Sequence, residues 1–475
     1  MKRKHFLTIG AGLSVGSLLG KSALNIGGKS LSVATIDPIT GYNDVSKKWP
    51  VSLESGVNDG EDSAYWDFVR SLFPLNSSLT FLNNGTMGIT PYPVLEAVNK
   101  SFHNIAENAA YPIHDGSIED MLASIIGCKG AEIAITKNVS EGVNHACWGI
   151  SLEKGDEVII SKHEHVGGCL PWIYRSKTEG IVLKVVELGA TAQETLNNIK
   201  SMASKKTKVV ALPHIPCTIG QILPVREICE WARGRGILTA IDGAHPLGMI
   251  QFNVKEMGCD YYSGCFHKWM LGPIGTGFFY VSESMLSKTR ITHIAAYSTD
   301  KFDMSTQAPS MGELVAKTSR YCYGTFSGPL FDGVMAAMKF YLKIGPEAIE
   351  KRVKGLSASI QHKLMAINDA SPAPSSPNSN LPLLHRMQNT VGPIIEILTP
   401  TEDISRAGQV GFRIHRKIAK SSARFVDFAR KKQVILRYVG ENNIDCVRVS
   451  THYYNNQKDI NTLFVVLEEF LTTED

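Results

Sequence analysis

The chain has 475 residues, 43% of them hydrophobic and 20% charged, which is enough apolar material for two cored domains and too much for a disordered chain. Its 49 Lys and Arg stand against 45 Asp and Glu, a net charge of +4 with the basic residues scattered, so nothing argues for nucleic acid. The 9 cysteines form no CxxC pair and fall in apparent core strands, and they read as buried thiols, not as a disulfide framework or a metal centre.

The first 35 residues stand apart. Met1-Lys-Arg3-Lys4-His-Phe6-Leu7 is a basic start, followed by an apolar stretch to Gly20 that is interrupted by glycine and serine and is too short to span a bilayer comfortably. It reads as a secretion signal, and Arg3-Lys4-x-Phe6-Leu7 is similar to a twin-arginine signal with lysine in the second place. Export as a folded protein to the periplasm is the expectation, with an uncleaved anchor or a cytoplasmic location as the alternatives. Two decoys lie here. Gly10-Ala-Gly12-Leu-Ser-Val-Gly16 imitates a dinucleotide loop, but only three apolar residues precede it. Gly28-Lys29-Ser30 imitates a phosphate loop, but the required earlier glycine is Ala23.

Residues 36–80 form an N-terminal segment whose helix, Ser63 to Leu72, is expected to pack on the C-terminal domain. From 81 to 330 apolar runs alternate with helical patterns: Glu132 to Ile135, Val158 to Ser161, Val182 to Val186, Val209 to Leu212, Leu238 to Ile241 and Phe278 to Val281. This is an α/β layout, a large domain with a mainly parallel sheet sandwiched by helices. Residues 331–475 read as a smaller α+β domain, with a surface loop at Asn368 to Asn380, strands at Ile394 to Leu398 and Val410 to Ile414, a helix from Ser422 to Lys432, and two strands that carry Arg437 and Arg448. No internal repeat is evident.

Chemistry enters at two points of this layout. The strand Leu238 to Ile241 ends in Asp242-Gly-Ala-His245, which puts a carboxylate at a strand's C-terminal end, where open α/β sheets bind ligands. Farther on, Lys268 lies among small and aromatic residues, with no carboxylate between Asp260 and Val281. A solvated lysine is protonated at neutral pH and a poor nucleophile, so this one must be desolvated or placed near positive charge. Alone, Lys268 reads as a surface lysine after a glycine-rich turn. With Asp242 it points to pyridoxal phosphate, which needs an amine to hold its aldehyde as a Schiff base and a carboxylate to keep its ring nitrogen protonated. The turn Gly272, Gly275 and Gly277 leads from the lysine into the next strand.

From about residue 78 to 470 the chain resembles the class V, fold type I family of pyridoxal phosphate enzymes, which includes isopenicillin N epimerases, cysteine desulfurases and small aminotransferases. The wording Phe81-Leu-Asn-Asn-Gly and Asp242-Gly-Ala-His is most similar to the isopenicillin N epimerase-like branch. The resemblance implies roles. Thr80 to Gly88, with Asn84, would lie close to the substrate. Val139 and Ser140 would grip the cofactor phosphate at a helix start, where free amides and the helix dipole attract an anion; read from the residues alone, Ser140 is simply that helix's N-cap. His165, in Glu164-His165 followed by Pro171-Trp172, would stack on the pyridine ring and move protons. His163, Glu164 and His165 do not read as zinc ligands, since no further ligand pair follows at close spacing and adjacent strand residues point apart.

Two departures from the family pattern stand out. Cys217 occupies a position where relatives often carry an asparagine against the cofactor's 3-hydroxyl, which leaves His245 as the better candidate for that contact. Cys265 replaces a small hydroxyl or amide residue near the phosphate, where His267 would compensate. Arg320-Tyr-Cys-Tyr-Gly324-Thr325 resembles the segment that reaches the partner's phosphate in family dimers, which implies a homodimer with shared sites. Arg448 would hold the substrate carboxylate through a planar fork, and the strand of Arg437 would carry a further substrate contact.

The expectation is therefore a homodimeric enzyme acting on an amino acid or an amino-acid-derived substrate, by epimerisation or transamination. Lys268, Asp242 and His165 would be its catalytic residues, no metal is called for, and the membrane enters only as an export route or an anchor. A cysteine desulfurase or C–S lyase is the runner-up. Against it, no cysteine follows Arg437 in Tyr-Val-Gly-Glu-Asn-Asn-Ile-Asp, and Cys446 lies too far along. A catalytically silent cofactor-binding protein is the non-enzyme alternative.

Overall fold

The computed structural model describes residues 63–112, 114–369, 393–416 and 419–473. The signal-like segment, the rest of 36–62 and most of the loop expected at Asn368 to Asn380 lie outside the described residues. Among the described residues, no helix is long and apolar enough to cross a membrane.

Seven strands form the large sheet: β1 (Ile133–Thr136), β2 (Glu157–Ser161), β3 (Val182–Val186), β4 (Thr207–Pro213), β5 (Leu238–Gly243), β6 (Tyr261–Cys265) and β7 (Gly277–Val281). Their order is β1-β7-β6-β5-β4-β2-β3. The pairings from β6 to β3 are parallel, and β7 alone runs antiparallel to both its neighbours. Every residue of β1, β2, β6 and β7 is buried, which is why β1, β2 and β7 read as mainly apolar runs and not as alternating ones. Helices Val139–Gly149 and Val166–Glu179 follow β1 and β2, so their N-termini open at the C-terminal edge of the sheet.

β6 is the strand that the sequence reading did not separate from the lysine loop. Tyr-Tyr-Ser-Gly-Cys mixes rings with small residues, and the packing explains it. A Cβ on Gly264 would lie 2.2 Å from the Phe278 ring of β7, and one on Gly142 would lie 2.6 Å from Ser263 Oγ. The strand is squeezed on both faces at Ser263 and Gly264, so its bulk falls on Tyr261 and Tyr262.

A second, antiparallel sheet has the order β8-β9-β11-β10, where β8 is Ile395–Ile397, β9 Gln409–Ile414, β10 Arg437–Val439 and β11 Cys446–Ser450. Its core gathers Leu82, Phe412, Phe425, Val447 and Phe464. The helix after β9 is Ser421–Lys431, shifted by one residue from the expectation. The chain before the large sheet belongs here too. Thr80–Phe81 pairs in parallel with Val434–Ile435, and Asn83 bridges to Ser450 at the end of β11. The helix Ser63–Ser71 turns Trp66 toward Tyr453, and Phe73 stacks against Tyr454 at 4.5 Å, while Arg70 meets Asp459 at 2.8 Å.

Candidate active site

Lys268 lies three residues past β6, and β6 runs in parallel with β5, so that Asp242 pairs with Ser263. The topology thus delivers lysine and carboxylate to one sheet edge. Asp242 Oδ1 accepts the Ala244 N–H at 2.9 Å. Burial pushes the Asp242 carboxyl up, while Lys268, the Ala244 amide and His165 pull it back toward the anion. The lysine's backbone is clamped from two distant parts of the chain. Gly88 N–H donates to His267 O at 3.0 Å, and a Cβ on Gly88 would sit 2.0 Å from Lys268 O. His452 Nε2 lies 3.1 Å from Trp269 O, and its ring stacks on Trp269 at 5.3 Å. Three residues beyond the lysine, Leu271 takes a left-handed conformation, φ 62°, while fully buried, a strained posture that the surrounding packing must enforce.

His245 stands next to the lysine, with Nε2 3.5 Å from Lys268 Nζ. Trp269 Nε1 donates to His245 Nδ1 at 3.1 Å, and the Gln409 carboxamide reaches the same nitrogen at 3.0 Å. An indole N–H can only donate, so Nδ1 is the acceptor and the ring proton belongs on Nε2, facing the lysine. Burial, then Lys268 and Arg448, hold this imidazole well below its ordinary value, and therefore neutral. Trp269, Gln409 and His452 are site residues that the sequence reading missed.

Two helix starts meet beside this pair. The N-cap of the first is Asn138, whose side chain accepts the Glu141 N–H at 3.0 Å, so Ser140 is not the cap but the second helical residue. This leaves the amides of Val139 and Ser140 without intrahelical acceptors. His165 caps the second helix, and its Nδ1 accepts the Gly167 N–H at 3.1 Å. A Cβ on Gly167 would lie 2.4 Å from Ser140 Oγ, which brings Ser140 close to the His165 turn. Burial and Lys268 lower the His165 imidazole, and Asp242 opposes them. His163 turns away to Thr218 at 2.8 Å, and Glu164 turns back to Ser161, so the three neighbours do not converge. The grouping among the described residues that could hold a metal lies elsewhere: ligand atoms of His114, Glu119 and Cys322 all fall within 4.8 Å of one another.

Arg448 and Arg437 face each other across β11 and β10, a like-charge pair that an anion would relieve. Arg448 is fully buried; Nη1 donates to Cys217 O at 2.7 Å, and Nη2 to Asn83 Oδ1 at 2.8 Å and Thr86 Oγ1 at 2.9 Å. Burial and Arg437 bring its guanidinium down to about 10. Arg437 is held by Glu441. Asn84, expected at the substrate, instead spends its side chain on Ser450 O, Asn455 and Tyr454 in the core. Asn83 takes the place beside the arginine, because successive residues of an extended segment face opposite ways.

Unmet polar atoms mark the site. Gln409 Oε1, Ser450 Oγ and Arg448 Nε are buried without partners, and the first two lie 2.8 and 2.9 Å from the position a Cβ on Gly85 would take, with Arg448 Cζ at 3.1 Å. His267 Nδ1 is likewise buried and unpartnered, while Cys265 Sγ is turned to Ala244 O at 3.4 Å. Orphaned donors and acceptors of this kind are what an anionic, hydrogen-bonding ligand satisfies, so the residues fit a phosphate-bearing cofactor and a carboxylate substrate. Thr325 is not part of this gathering: it is exposed, and its hydroxyl meets that of Tyr111 at 3.2 Å.

The chain is similar to several known proteins. A probable cysteine desulfurase of Methanothermobacter thermautotrophicus is 26% identical over 412 residues, 84% of this chain and 97% of that protein. The isopenicillin N epimerase of Amycolatopsis lactamdurans is 24% identical over 420 residues, 85% of this chain and 98% of that protein. Among solved structures, the apo cysteine desulfurase of Thermococcus onnurineus superposes with a TM-score of 0.71 at 21% identity, over 85% of this chain and 98% of that one. The cystine C–S lyase C-DES, in complex with its product cysteine persulfide, gives 0.70 at 22% identity, over 85% of this chain and 100% of that one. The family model for class V aminotransferases matches residues 90–463, and the chain belongs to that family.

Proposed function

We propose that this pyridoxal phosphate-dependent class V enzyme acts on an amino acid, moving its α-proton, with Lys268 as the amine that holds the cofactor and, once displaced, as the base. The observation that carries this is the convergence of Lys268, Asp242 and a neutral His245 beside a buried arginine fork edged with unmet polar atoms. When bound, the cofactor supplies an electron sink for the carbanion left by the departing proton. The remaining work falls to the chain. Val139 and Ser140 amides receive the phosphate, and His267 Nδ1 offers a further group toward it. His165 backs the ring. Asp242, kept anionic by Lys268 and by the Ala244 amide, holds the proton on the ring nitrogen. Arg448 takes the substrate carboxylate and so fixes which bond at the α-carbon stands before Lys268 Nζ.

We further infer that two chains complete each site. Thr325 and Gly324 are exposed, and Tyr111, whose hydroxyl meets that of Thr325, is 67% exposed, a surface that a second copy would cover.

Desulfuration through a persulfide on Cys446, the chemistry of the desulfurase reading, is disfavoured by that residue's setting. It lies within β11, 0% exposed, with Sγ turned to Thr218 O at 3.9 Å and its thiol pushed up to about 12 by burial. A persulfide carrier must be mobile and ionisable. The test is the visible spectrum of the purified protein under a panel of amino acids. Borohydride reduction followed by peptide mapping is expected to label Lys268, with solvent deuterium entering the α-position of the substrate. A label on another lysine, or release of sulfide from cysteine without α-exchange, would replace this reading.

A further inference from the structure

Behind Asp242 lies a second buried acid. Glu164 is 6% exposed and spends one oxygen, Oε1, on the Ser161 N–H at 3.1 Å and the Ser161 hydroxyl at 2.8 Å. Asp242 likewise spends one oxygen, Oδ1, on Ala244. The remaining oxygens meet at one place: Glu164 Oε2 and Asp242 Oδ2 lie 3.1 and 3.2 Å from the point where a Cβ on Gly168 would sit. Both acids line a small cavity of about 20 Å³, together with Gly168, Trp172, Tyr261 and Ser263. That is room for one water, which needs about 10 to 15 Å³ and two or more polar partners.

No lysine, arginine or histidine lines this cavity. The Tyr261 hydroxyl is turned to Thr289 at 2.7 Å, and the nearby Cys169 thiol offers no positive charge. Two carboxylates in so enclosed a space cannot both ionise, and one must keep its proton. The surroundings decide which. Asp242 has the charge of Lys268 and a backbone amide in its favour, whereas Glu164 has only the neutral Ser161 donors.

We propose that Glu164 is a positioning residue for Asp242: it carries the proton and donates it through the shared water to Asp242 Oδ2, fixing Asp242 as the anion of the pair. The inference rests on the reading of Asp242 as the partner of the cofactor's ring nitrogen. Burial, reinforced by Asp242, raises the Glu164 carboxyl from 4.5 to about 8, in the same direction. Such a group makes stability depend on pH with a definite sign. Its folded value lies above its unfolded one, so the folded state retains a proton that the unfolded state releases, and stability falls as pH rises from about 4.5 to about 8.

The experiment uses the full chain with and without cofactor. In cofactor-free protein, thermal unfolding of wild type and Glu164→Gln is followed from pH 5 to 9. The glutamine keeps an acceptor for Ser161 and a donor for the water, and cannot ionise. The melting temperature of E164Q relative to wild type is expected to climb across pH 5 to 8 and then level off. A difference that stays flat over this range overturns the acid pair, whatever the cofactor does. In cofactor-loaded protein, the visible band of wild type is expected to shift near pH 8 and that of E164Q to lack the shift. If unfolding reports the pair but the band is identical in both proteins, the positioning role of Glu164 is overturned, while the reading of Asp242 is tested separately by whether Asp242→Asn alters the band. Gly168→Ala gives an arm that keeps both acids: its methyl takes the water's place and is expected to move the wild-type transition to higher pH, and an unmoved transition overturns the shared water.

Discussion

Replacing Arg448 by lysine isolates the contribution of its planar fork from that of its charge. In the protein as it stands, one guanidinium nitrogen is committed to Cys217 O at 2.7 Å and another to Asn83 and Thr86 at 2.8 and 2.9 Å, on opposite sides of the group. An ammonium can serve one side or the other, not both, and it loses the parallel pair of bonds a carboxylate would receive. A charge-assisted hydrogen bond contributes roughly 1.5 to 3 kcal/mol, so the half-saturating concentration of an amino acid is expected to rise about ten- to a hundred-fold. Cofactor content should change little, because no proposed phosphate or ring contact passes through this residue. The assay titrates wild type and Arg448→Lys with each amino acid while following the visible band of the bound cofactor. The amine that lacks the carboxylate is run beside it. That amine should bind weakly to wild type and lose nothing further in the variant, since the interaction removed is the one it cannot make. A variant that binds amino acids within threefold of wild type, or a matching loss for the amine, would refute the assignment of Arg448 to the carboxylate.

Four other outcomes are expected. Mixing Lys268→Ala protein with Thr325→Ala protein should restore part of the activity if each site draws on two chains, and mixed dimers as inactive as their parents would argue for self-contained sites. Cys446→Ser should leave turnover within about twofold of wild type, as measured by α-proton exchange, and abolition would return the thiol to the chemistry. Gly88→Ala places a methyl 2.0 Å from Lys268 O and 2.3 Å from Leu271 Cδ2, so it should cost on the order of 1 to 3 kcal/mol of stability and lower cofactor occupancy; a variant with unchanged melting temperature and occupancy would contradict the clamp. The hydrogen bond that the His114 ring donates to Glu119 raises His114 above its ordinary 6.5, so the stabilisation is complete below that value and fades as pH rises through the folded one; His114→Gln should be less stable at pH 5.5 and approach wild type at high pH, and a deficit independent of pH would exclude the ion pair.

Much of this site was legible because its central groups are chemically conspicuous and lie at strand ends. Asp242 and Lys268 stand out as a carboxylate and an amine in apolar surroundings, and the parallel pairing of β5 with β6 converts that into proximity. What the sequence hides are contacts set by direction. Asn83 and Asn84 are the same residue type in adjacent positions, and only the strand's path decides that the first faces Arg448 and the second the core. Ser140 reads as well as Asn138 for a helix cap, and the choice depends on where the backbone first turns helical. Gln409 reaches His245 from the other sheet, a meeting that neither segment's periodicity encodes. Glu164 was visible in its motif, but its pairing with Asp242 depends on a gap at Gly168 that exists only because one helix residue has no side chain.

The backbone around Lys268 is held by Gly88 on one side and His452 on the other, residues from opposite ends of the described chain. During synthesis the lysine, its sheet and the helix start at Val139 all emerge well before His452 does. A ribosome-bound chain can therefore possess Lys268, Asp242 and that helix start and still lack the brace on Trp269 O. The register of Trp269, His245 and the lysine is then set last, by the segment that follows β11.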